Sequence, residues 1–401
     1  MTALRVPDFR RLWLAGLISE TGDWLLLVSL PIVAYQYTGS TLGTAVALLI
    51  ELVPPVLLAP LAGRLADRLD RRRTLLVVSL AQAAALTPLV FVHDHAGLPI
   101  LYAVIAVQSA LAAVFEPTKS ALLPTLVDAG RLVSANSLVG LNKNVGRLVG
   151  GPLGGVLLAT GGGLPTIVAV DAASFLLAFA LLARLAVPAT VRSVPTGGSL
   201  TGWRATLAAR PIRAGLAVLL TASTAQGIFV ALFIVFVARA LHGGAGEIGL
   251  LRGVQGIGAL VGGLALGCAG RIAAGRLTAY AAVGFGLLSL AIWNAPAISS
   301  AEPLYLGLFI AAGVPGVALM TGLISALQQA TVEGQRGKVF AMAGIAASAG
   351  EGIGILAGGI LGDPLGVVTV LNGQAALYIA AGVLAAAWLA EPRERGRLAV
   401  A

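Results

Sequence analysis

The stretch GRLADRLDRRRT, residues 63–74, has the densest charge in this chain and decides how the rest of the sequence is interpreted. Five arginines and two aspartates lie here between two long apolar runs, although only 11% of the 401 residues are charged. A short basic connection between apolar segments is typical of a cytoplasmic loop in a membrane protein, because Lys and Arg accumulate on the cytoplasmic side.

The composition indicates that most of the chain lies in a lipid bilayer. Hydrophobic residues make up 58% of the sequence, and its mean hydropathy is +0.95. Soluble proteins have roughly 25% charged residues, more than twice the fraction found here. The formal net charge of +9 is therefore attributed to membrane orientation and not to nucleic-acid binding.

Several classes of chemistry find no support in the sequence. A single cysteine and three histidines offer neither a disulfide framework nor a metal site. No Gly-x-x-x-x-Gly-Lys-Ser/Thr loop is present, so the chain does not itself use ATP, and no catalytic triad can be assembled. We therefore expect neither an enzyme nor a bound cofactor or metal, with a proton gradient as the energy source.

Apolar runs of about 20 residues, the length needed to cross the hydrocarbon core, predict an all-α membrane protein. Twelve membrane helices are predicted, at 12–37, 43–63, 74–92, 98–123, 135–159, 164–187, 213–239, 246–268, 277–296, 303–329, 338–361 and 367–390.

The basic residues fall on one side of this predicted bundle. If the amino terminus and every second loop share a side, that side collects 22 of the 26 Lys and Arg residues, whereas the opposite side has only Arg239. A missed helix would scramble this asymmetry, so the pattern predicts a multi-pass protein with both termini in the cytoplasm.

The chain divides into two predicted halves of six helices, residues 1–187 and 213–401, joined by a cytoplasmic linker at 188–212 that is rich in Pro, Gly, Ser and Thr. Within the linker, LTGWRATLAAR is consistent with a short amphipathic surface helix. An internal repeat at an offset of 204 relates GRLVGGPLGG (146–155) to GEGIGILAGG (350–359). Parallel six-helix repeats of this kind build one group of secondary transporters.

The chain resembles the major facilitator superfamily over essentially its whole length. The family loop pattern Gly-x-x-x-Asp-Arg-x-Gly-Arg-Arg is matched except at Asp70, where the family often has Gly; the matching residues are Gly63, Asp67, Arg68, Arg71 and Arg72. The acidic residue, and the segments 9–40 and 121–155, resemble the bacterial macrolide and siderophore efflux group. The resemblance implies a drug:proton antiporter-like exporter in the bacterial cytoplasmic membrane.

We predict that these five loop residues form a conformational clasp on the cytoplasmic face. Asp67 would accept hydrogen bonds at a neighbouring helix start, and the arginines would pair with carboxylates or lipid phosphates. The alternative is that these charges only fix the topology.

The fifth predicted helix contains a glycine motif similar to one associated with antiporters, with Pro displaced by one position. Its residues are Gly146, Gly150, Pro152, Gly154 and Gly155. Small residues at four-residue spacing allow helices to pack closely, and this packing role is the interpretation that the residues themselves support.

Ionisable residues inside membrane helices are costly and therefore mark functional positions. Glu20 and Asp23 share one face of the first helix, and with Glu51 they are the candidates for proton coupling. Lys143, Arg147, Arg252 and Glu351 are candidates for cavity charges or gates, including an Arg147–Glu351 pair. A purely structural role for the carboxylates remains the alternative.

These observations predict a secondary transporter, working as a monomer, that exports a small amphipathic drug, siderophore or natural product in exchange for protons. Two other readings use the same scaffold: an uptake symporter for a small metabolite, and a translocator of lipids or lysolipids. The small-molecule substrate and the surrounding lipid are the expected partners, and no nucleic acid is expected.

Overall fold

A computed structural model of the chain describes residues 3–186, 209–268, 272–331 and 335–389, without the side chains at 66–68, 129 and 133. These ranges contain twelve α-helices and no β-strand. The helices are α1 Pro7–Thr38, α2 Thr41–Arg68, α3 Arg71–Ala85, α4 Leu98–Leu126, α5 Leu132–Ala159, α6 Gly163–Ala183, α7 Arg210–Ala240, α8 Ala245–Cys268, α9 Ala274–Asn294, α10 Glu302–Ala330, α11 Arg336–Leu365 and α12 Val367–Leu389. The predicted all-α class and the twelve helices are confirmed.

Eleven of the twelve helices are long and apolar enough to cross a membrane. The remaining helix, α5, has sufficient length but contains several polar and charged residues, including Asn142, Lys143, Asn144 and Arg147, which lower its hydropathy. It therefore needs protein neighbours for these side chains, as expected of a helix inside a bundle.

The segment between α2 and α3 differs from the prediction. Helix α2 continues to Arg68 and α3 begins at Arg71, so the expected loop shrinks to Leu69 and Asp70. The Asp70 carboxylate accepts a hydrogen bond from the backbone N–H of Arg73 at 2.7 Å and caps α3. Arginines are good helix formers and an aspartate is a favoured N-cap, so this basic run extends both helices.

Helix α3 also ends earlier than predicted, at Ala85 instead of residue 92. A 3₁₀ turn, Thr87–Phe91, follows and contains Pro88. Proline has no backbone N–H and its ring clashes with the preceding turn, which explains why the α-helix stops here despite its apolar continuation.

The chain forms two compact units, one of Met1–Gly197 with Phe233–Gly256 and the other of Gly198–Leu232 with Ile257–Ala401. The first unit thus includes the end of α7 and the start of α8. The division at 187 and 213 remains a prediction, and the proposed linker helix lies outside the described residues.

Each unit has its own apolar core. In the first unit, α1, α3, α4 and α6 supply two clusters, which include Phe9, Leu75 and Phe115 in one and Leu30, Leu101 and Phe175 in the other. In the second unit, α7, α9, α10, α11 and α12 share one cluster. These cores fix the backbones that carry the polar residues of the candidate site.

Candidate functional site

The first unit contains a partly open cavity of about 240 Å³ between α1, α2, α3, α4 and α5. Apolar side chains form much of its wall, and eight polar or charged residues complete it: Glu20, Asp23, Glu51, Gln82, Gln108, Ser109, Glu116 and Lys143. The volume lies slightly below the roughly 300–1,000 Å³ of sites for drug-sized ligands. It is sufficient for a small molecule or for the polar end of a larger one.

The three predicted proton-coupling candidates all line this cavity. Glu20 and Asp23 reach it from the same face of α1, as their spacing predicted, and Glu51 reaches it from α2. Lys143, a predicted cavity charge, lines it from α5. Four predicted site residues from three helices are thus brought together, and their roles in transport stay predictions.

Two prolines shape the α2 wall of the cavity. Pro54 lacks an N–H, so the backbone carbonyl of Ile50 loses its usual helical donor. The Ser109 hydroxyl of α4 lies 3.4 Å from this carbonyl and 3.1 Å from the Ala106 carbonyl of its own helix, and its single hydrogen can be donated to either. Pro55 itself lines the cavity one turn after Glu51.

Lys119 and Glu116 form an ion pair on α4. Lys119 is one of the 22 basic residues on the predicted cytoplasmic side, yet it is only 5% exposed and lies near the Phe115 ring, 5.6 Å from its centroid. The pairing explains how this cation is accommodated, since buried charges in proteins are normally paired. Glu116 remains partly exposed and is shared between Lys119 and the cavity.

The other predicted charges are not among the residues that line this cavity. The Arg147 guanidinium lies 6.0 Å from the centroid of the Trp24 ring, and that of Arg252 lies 5.9 Å from the Phe233 ring. Both distances fit cation–π contacts. Arg147 and Glu351 belong to different compact units, so their pairing stays a prediction.

A further carboxylate, Asp171 on α6, is completely buried against α1. The Ser174 hydroxyl donates to its Oδ1 at 3.0 Å, whereas none of the described residues donates to its Oδ2. A Cβ atom at Gly22 would overlap Oδ1, so glycine is required for this approach of the two helices. Asp171 interacts electrostatically with Asp23, which lines the cavity. The buried carboxyl group of Asp171 therefore lies behind the α1 wall of the cavity.

Sequence reasoning missed Gln82, which enters the cavity from α3. The available signal was a polar residue within a predicted membrane helix, but the sequence does not show that Gln82 and Gln108 are neighbours. The Gln108 side-chain amide donates to the backbone carbonyl of Gln82 at 2.8 Å. This contact joins α3 to α4 at the cavity wall.

At the α2–α3 connection the arginines bind backbone carbonyls. Arg71 donates to the Ala121 carbonyl at 3.0 Å. Arg72 donates to the Leu182 and Ala183 carbonyls at the end of α6, where helical acceptors lack internal donors. Around Gly63 a Cβ atom would meet nothing within 4 Å. The side chains of Asp67 and Arg68 lie outside the described residues, so their part in the clasp stays a prediction.

The α5 glycine motif is a packing surface. A Cβ atom at Gly150 would overlap the Thr21 carbonyl of α1, and one at Gly146 or Gly154 would come within 3 Å of α1. Gly155 faces α8 instead, where its Cβ would overlap the Ala245 carbonyl, and Pro152 lies against Gly253. Helix α5 is continuous through Pro152.

The same glycine arrangement recurs in the second unit. Cβ atoms at the repeat-equivalent Gly350 and Gly354 of α11 would collide with α7 at the Leu220 and Thr224 carbonyls. Both residues are displaced by 204 from Gly146 and Gly150. The sequence repeat therefore corresponds to a repeated helix contact.

A family model described as "Transmembrane secretion effector" matches residues 1–395 of the chain. The chain belongs to this family of major facilitator transporters. The transporter is accordingly a multi-pass membrane protein with a small-molecule substrate.

Curated relatives include other major facilitator transporters and efflux proteins. The transporter is 28% identical to the uncharacterised MFS-type transporter YfiS of Bacillus subtilis, over 87% of this chain and 85% of YfiS. It is 31% identical to the multidrug efflux pump Tap of Mycolicibacterium fortuitum, over 47% of this chain and 48% of Tap. It is 29% identical to the enterobactin exporter EntS of Salmonella typhi, over 65% and 64% of the two chains.

The fold is also similar to solved transporter structures. A bacterial homologue of the iron transporter ferroportin in an inward-facing state superposes with a TM-score of 0.75 at 18% identity, covering 97% of this chain and 99% of that one. At this identity the likeness establishes the shared fold.

Proposed function

We propose that this transporter exports a small amphipathic molecule from the cytoplasm in exchange for protons. The observation that carries the proposal is the cavity of the first unit, where Glu20, Asp23 and Glu51 line a largely apolar wall. An apolar pocket with a few converging polar groups is the usual form of a small-molecule site. The similarity to the multidrug efflux pump Tap and to the enterobactin exporter EntS supports export as the direction.

The proposal of proton exchange rests on the free-energy cost of burying an ionised carboxyl group inside a membrane protein. An ionised carboxyl group in this environment is unfavourable unless it is paired or hydrated. A proton can neutralise Glu20 or Asp23 when substrate is absent, and a bound substrate can displace it. Coupling would then arise because the two ligands compete for the same cavity.

We place both termini in the cytoplasm of a bacterium, with the transporter in the inner membrane. This orientation rests on the 22 basic residues on one side of the helix order and on Arg239 as the basic residue of the other side. We further propose that the transporter works as a monomer, by alternating access between its two six-helix repeats.

Contacts at both ends of the first unit are suited to such a cycle. At the proposed cytoplasmic end, Arg71 and Arg72 hold the ends of α4 and α6. At the opposite end, Arg239 of α7 donates to the Gly39 carbonyl in the α1–α2 connection at 2.7 Å. Hydrogen bonds to exposed carbonyls are modest in free energy, so a transport cycle can break and remake them.

Expression in an efflux-deficient bacterium tests this function. We expect cells with the transporter to accumulate less of at least one compound from a panel of amphipathic drugs and dyes, and an uncoupler should abolish the difference. Cells that express Asp23→Asn at the same level serve as the matched control. Higher, uncoupler-sensitive accumulation would contradict export and indicate uptake, and an unchanged level for every compound would contradict the proposed substrate class.

A further inference from the structure

Two glutamines that line the first-unit cavity have buried amide oxygens that accept no hydrogen bond from the described residues. Gln82 is 2% exposed and Gln108 is 9% exposed, and both residues line the cavity. The Oε1 atom of each is buried, and no described residue donates a hydrogen bond to it. The large majority of buried side-chain polar atoms in proteins have a partner, so these two neighbouring oxygens need an explanation.

The orientation of the Gln108 amide is fixed by its own hydrogen bond. Its Nε2 donates to the Gln82 backbone carbonyl at 2.8 Å. A flipped amide would set one oxygen against another, so the atom that remains without a partner is an acceptor. The Gln108 side chain, which lines the cavity, therefore has a buried acceptor oxygen for which the described residues supply no donor.

The charged residues of the cavity also favour a donor. The α1 carboxyl groups of Glu20 and Asp23 line the cavity, as does the carboxyl group of Glu116, which is paired with Lys119. Lys143 is the one basic residue among the described residues of the lining, so carboxyl groups outnumber ammonium groups there. Carboxylates and amide oxygens accept hydrogen bonds, and their strongest partners are cationic N–H groups.

The arrangement of the carboxylates fits an organic cation better than a metal ion. In the described parts of the chain, no three His, Cys, Asp or Glu side chains are grouped closely enough to hold a metal ion. The wall between the polar residues is apolar and includes Leu26, Leu27 and Phe115. Such a wall suits the hydrocarbon or aromatic body of a ligand, not a hydrated ion.

We propose that this cavity selects amphipathic cations whose charged end has N–H donors, such as a protonated amine or a guanidinium group. The charged end lies between the α1 carboxylates and the Gln82 and Gln108 oxygens, and the apolar body lies against the leucines. The proposal rests on the proposed function for the identity of the site, and it defines the class of substrate.

Three fluorescent ligands, which share a dansyl group and differ in their terminal group, test this selectivity. Dansylcadaverine has a terminal amine, N-acetyl-dansylcadaverine is its neutral counterpart, and dansyl-6-aminohexanoate ends in a carboxylate. Binding to the full chain in nanodiscs is measured by dansyl fluorescence at pH 7.5 without a gradient, and protein-free nanodiscs correct for partition into lipid. We expect the amine to bind at least about tenfold more tightly than the neutral ligand, with the carboxylate weakest.

Two variants separate the amide oxygens from general charge attraction. Gln82→Met keeps the shape of the side chain but removes its acceptor, and we expect roughly a three- to tenfold loss for the amine with little change for the neutral ligand. Gln329→Met, at an exposed position of α10, is the control and should bind all three ligands as the wild type does. If Gln82→Met does not fold, the comparison of the three ligands on the wild type decides alone.

Equal affinity for the amine and the neutral ligand, tighter binding of the carboxylate, or no binding of the amine would overturn the proposal. The measurement needs neither transport nor a proton gradient. Selective amine binding by a protein that fails the accumulation assay would therefore leave the cation site standing and refute export. Export of neutral or anionic compounds without amine binding would refute the cation site alone.

Discussion

Arg239 donates a hydrogen bond from Nε to the Tyr35 hydroxyl at 3.1 Å. Its guanidinium also lies 5.8 Å from the centroid of the Tyr35 ring. The two residues are 204 positions apart, which is the offset of the internal repeat. Equivalent positions of the two repeats thus meet in the first unit, where the end of α7 contacts the end of α1.

Removal of Arg239 should open a path to the cavity from outside the cell. The contact joins α7 to α1, and a net hydrogen bond of about 0.5–1.5 kcal/mol corresponds to roughly a two- to tenfold change in population. Cys268 is the sole cysteine of the chain, so Cys268→Ser with Leu27→Cys gives a single reporter in the cavity wall. We expect Arg239→Ala to increase the rate at which an impermeant maleimide labels this reporter cysteine on intact cells by about two- to tenfold.

A graded control comes from Tyr35→Phe, which removes the hydroxyl acceptor but keeps the ring and the bond to the Gly39 carbonyl. Its labelling rate should fall between those of the wild type and Arg239→Ala. Equal rates in all three proteins would show that this contact does not restrain the α1–α7 end.

Alanine at Gly150 should destabilise the transporter, because its methyl group would overlap the Thr21 carbonyl of α1. Overpacking of this kind costs roughly 1–3 kcal/mol. Gly140→Ala on the same helix is the matched control, since a Cβ atom there meets nothing within 4 Å. We expect a lower thermal midpoint in detergent for Gly150→Ala and an unchanged or higher midpoint for Gly140→Ala.

The repeat makes the same prediction for α11. Gly354→Ala would overlap the Thr224 carbonyl, whereas Gly344→Ala meets nothing within 4 Å. These positions are displaced by 204 from Gly150 and Gly140. A loss of stability at Gly150 without one at Gly354 would count against an equivalent packing role in the two units.

The sequence predicts the number and placement of the helices well because the bilayer imposes strict rules. Backbone groups in the hydrocarbon region must be satisfied within a helix, so apolar length locates every span except the more polar α5. The predicted helix ends are wrong where local interactions determine them. Asp70 caps α3 and thereby shortens the α2–α3 loop. Pro88 lies in the 3₁₀ turn that follows the end of α3.

The side chains of the site are only partly predictable. Glu20, Asp23 and Glu51 stand out because ionisable groups are rare in membrane helices. The burial of Lys119 and the meeting of Gln82 with Gln108 depend on how each helix is rotated. Helix faces toward lipid and toward protein are both apolar, so hydrophobic periodicity gives little information about that rotation.

Arg72→Lys distinguishes a hydrogen-bonding role from a topological one. Lysine keeps the positive charge but cannot reproduce the guanidinium bonds to the Leu182 and Ala183 carbonyls. We expect a loss of roughly 0.5–1.5 kcal/mol in stability, because lysine keeps a charged donor but loses the guanidinium geometry of these bonds. The measurement is the thermal midpoint of the purified protein, compared with its orientation in intact cells.

Arg73→Lys is the control for this change, since Arg73 is exposed and only its backbone N–H is bound to Asp70. It should leave the midpoint unchanged, and both variants should keep the wild-type orientation. A normal midpoint for Arg72→Lys would reduce the role of Arg72 to its charge.

Asp23→Asn should abolish proton-driven transport while the protein still folds. The amide is close in size to the carboxyl group but cannot take up and release a proton, and Asp23 lies where α1 meets both the cavity and buried Asp171. Flux is measured in proteoliposomes with an imposed pH gradient at saturating substrate, so that a change in affinity does not mimic a loss of coupling. Asp94→Asn, in the exposed connection before α4, is the control and should transport normally. Normal gradient-driven flux through Asp23→Asn would assign coupling to another carboxylate, and Glu20→Gln and Glu51→Gln would then identify which of the two remaining cavity candidates exchanges the proton.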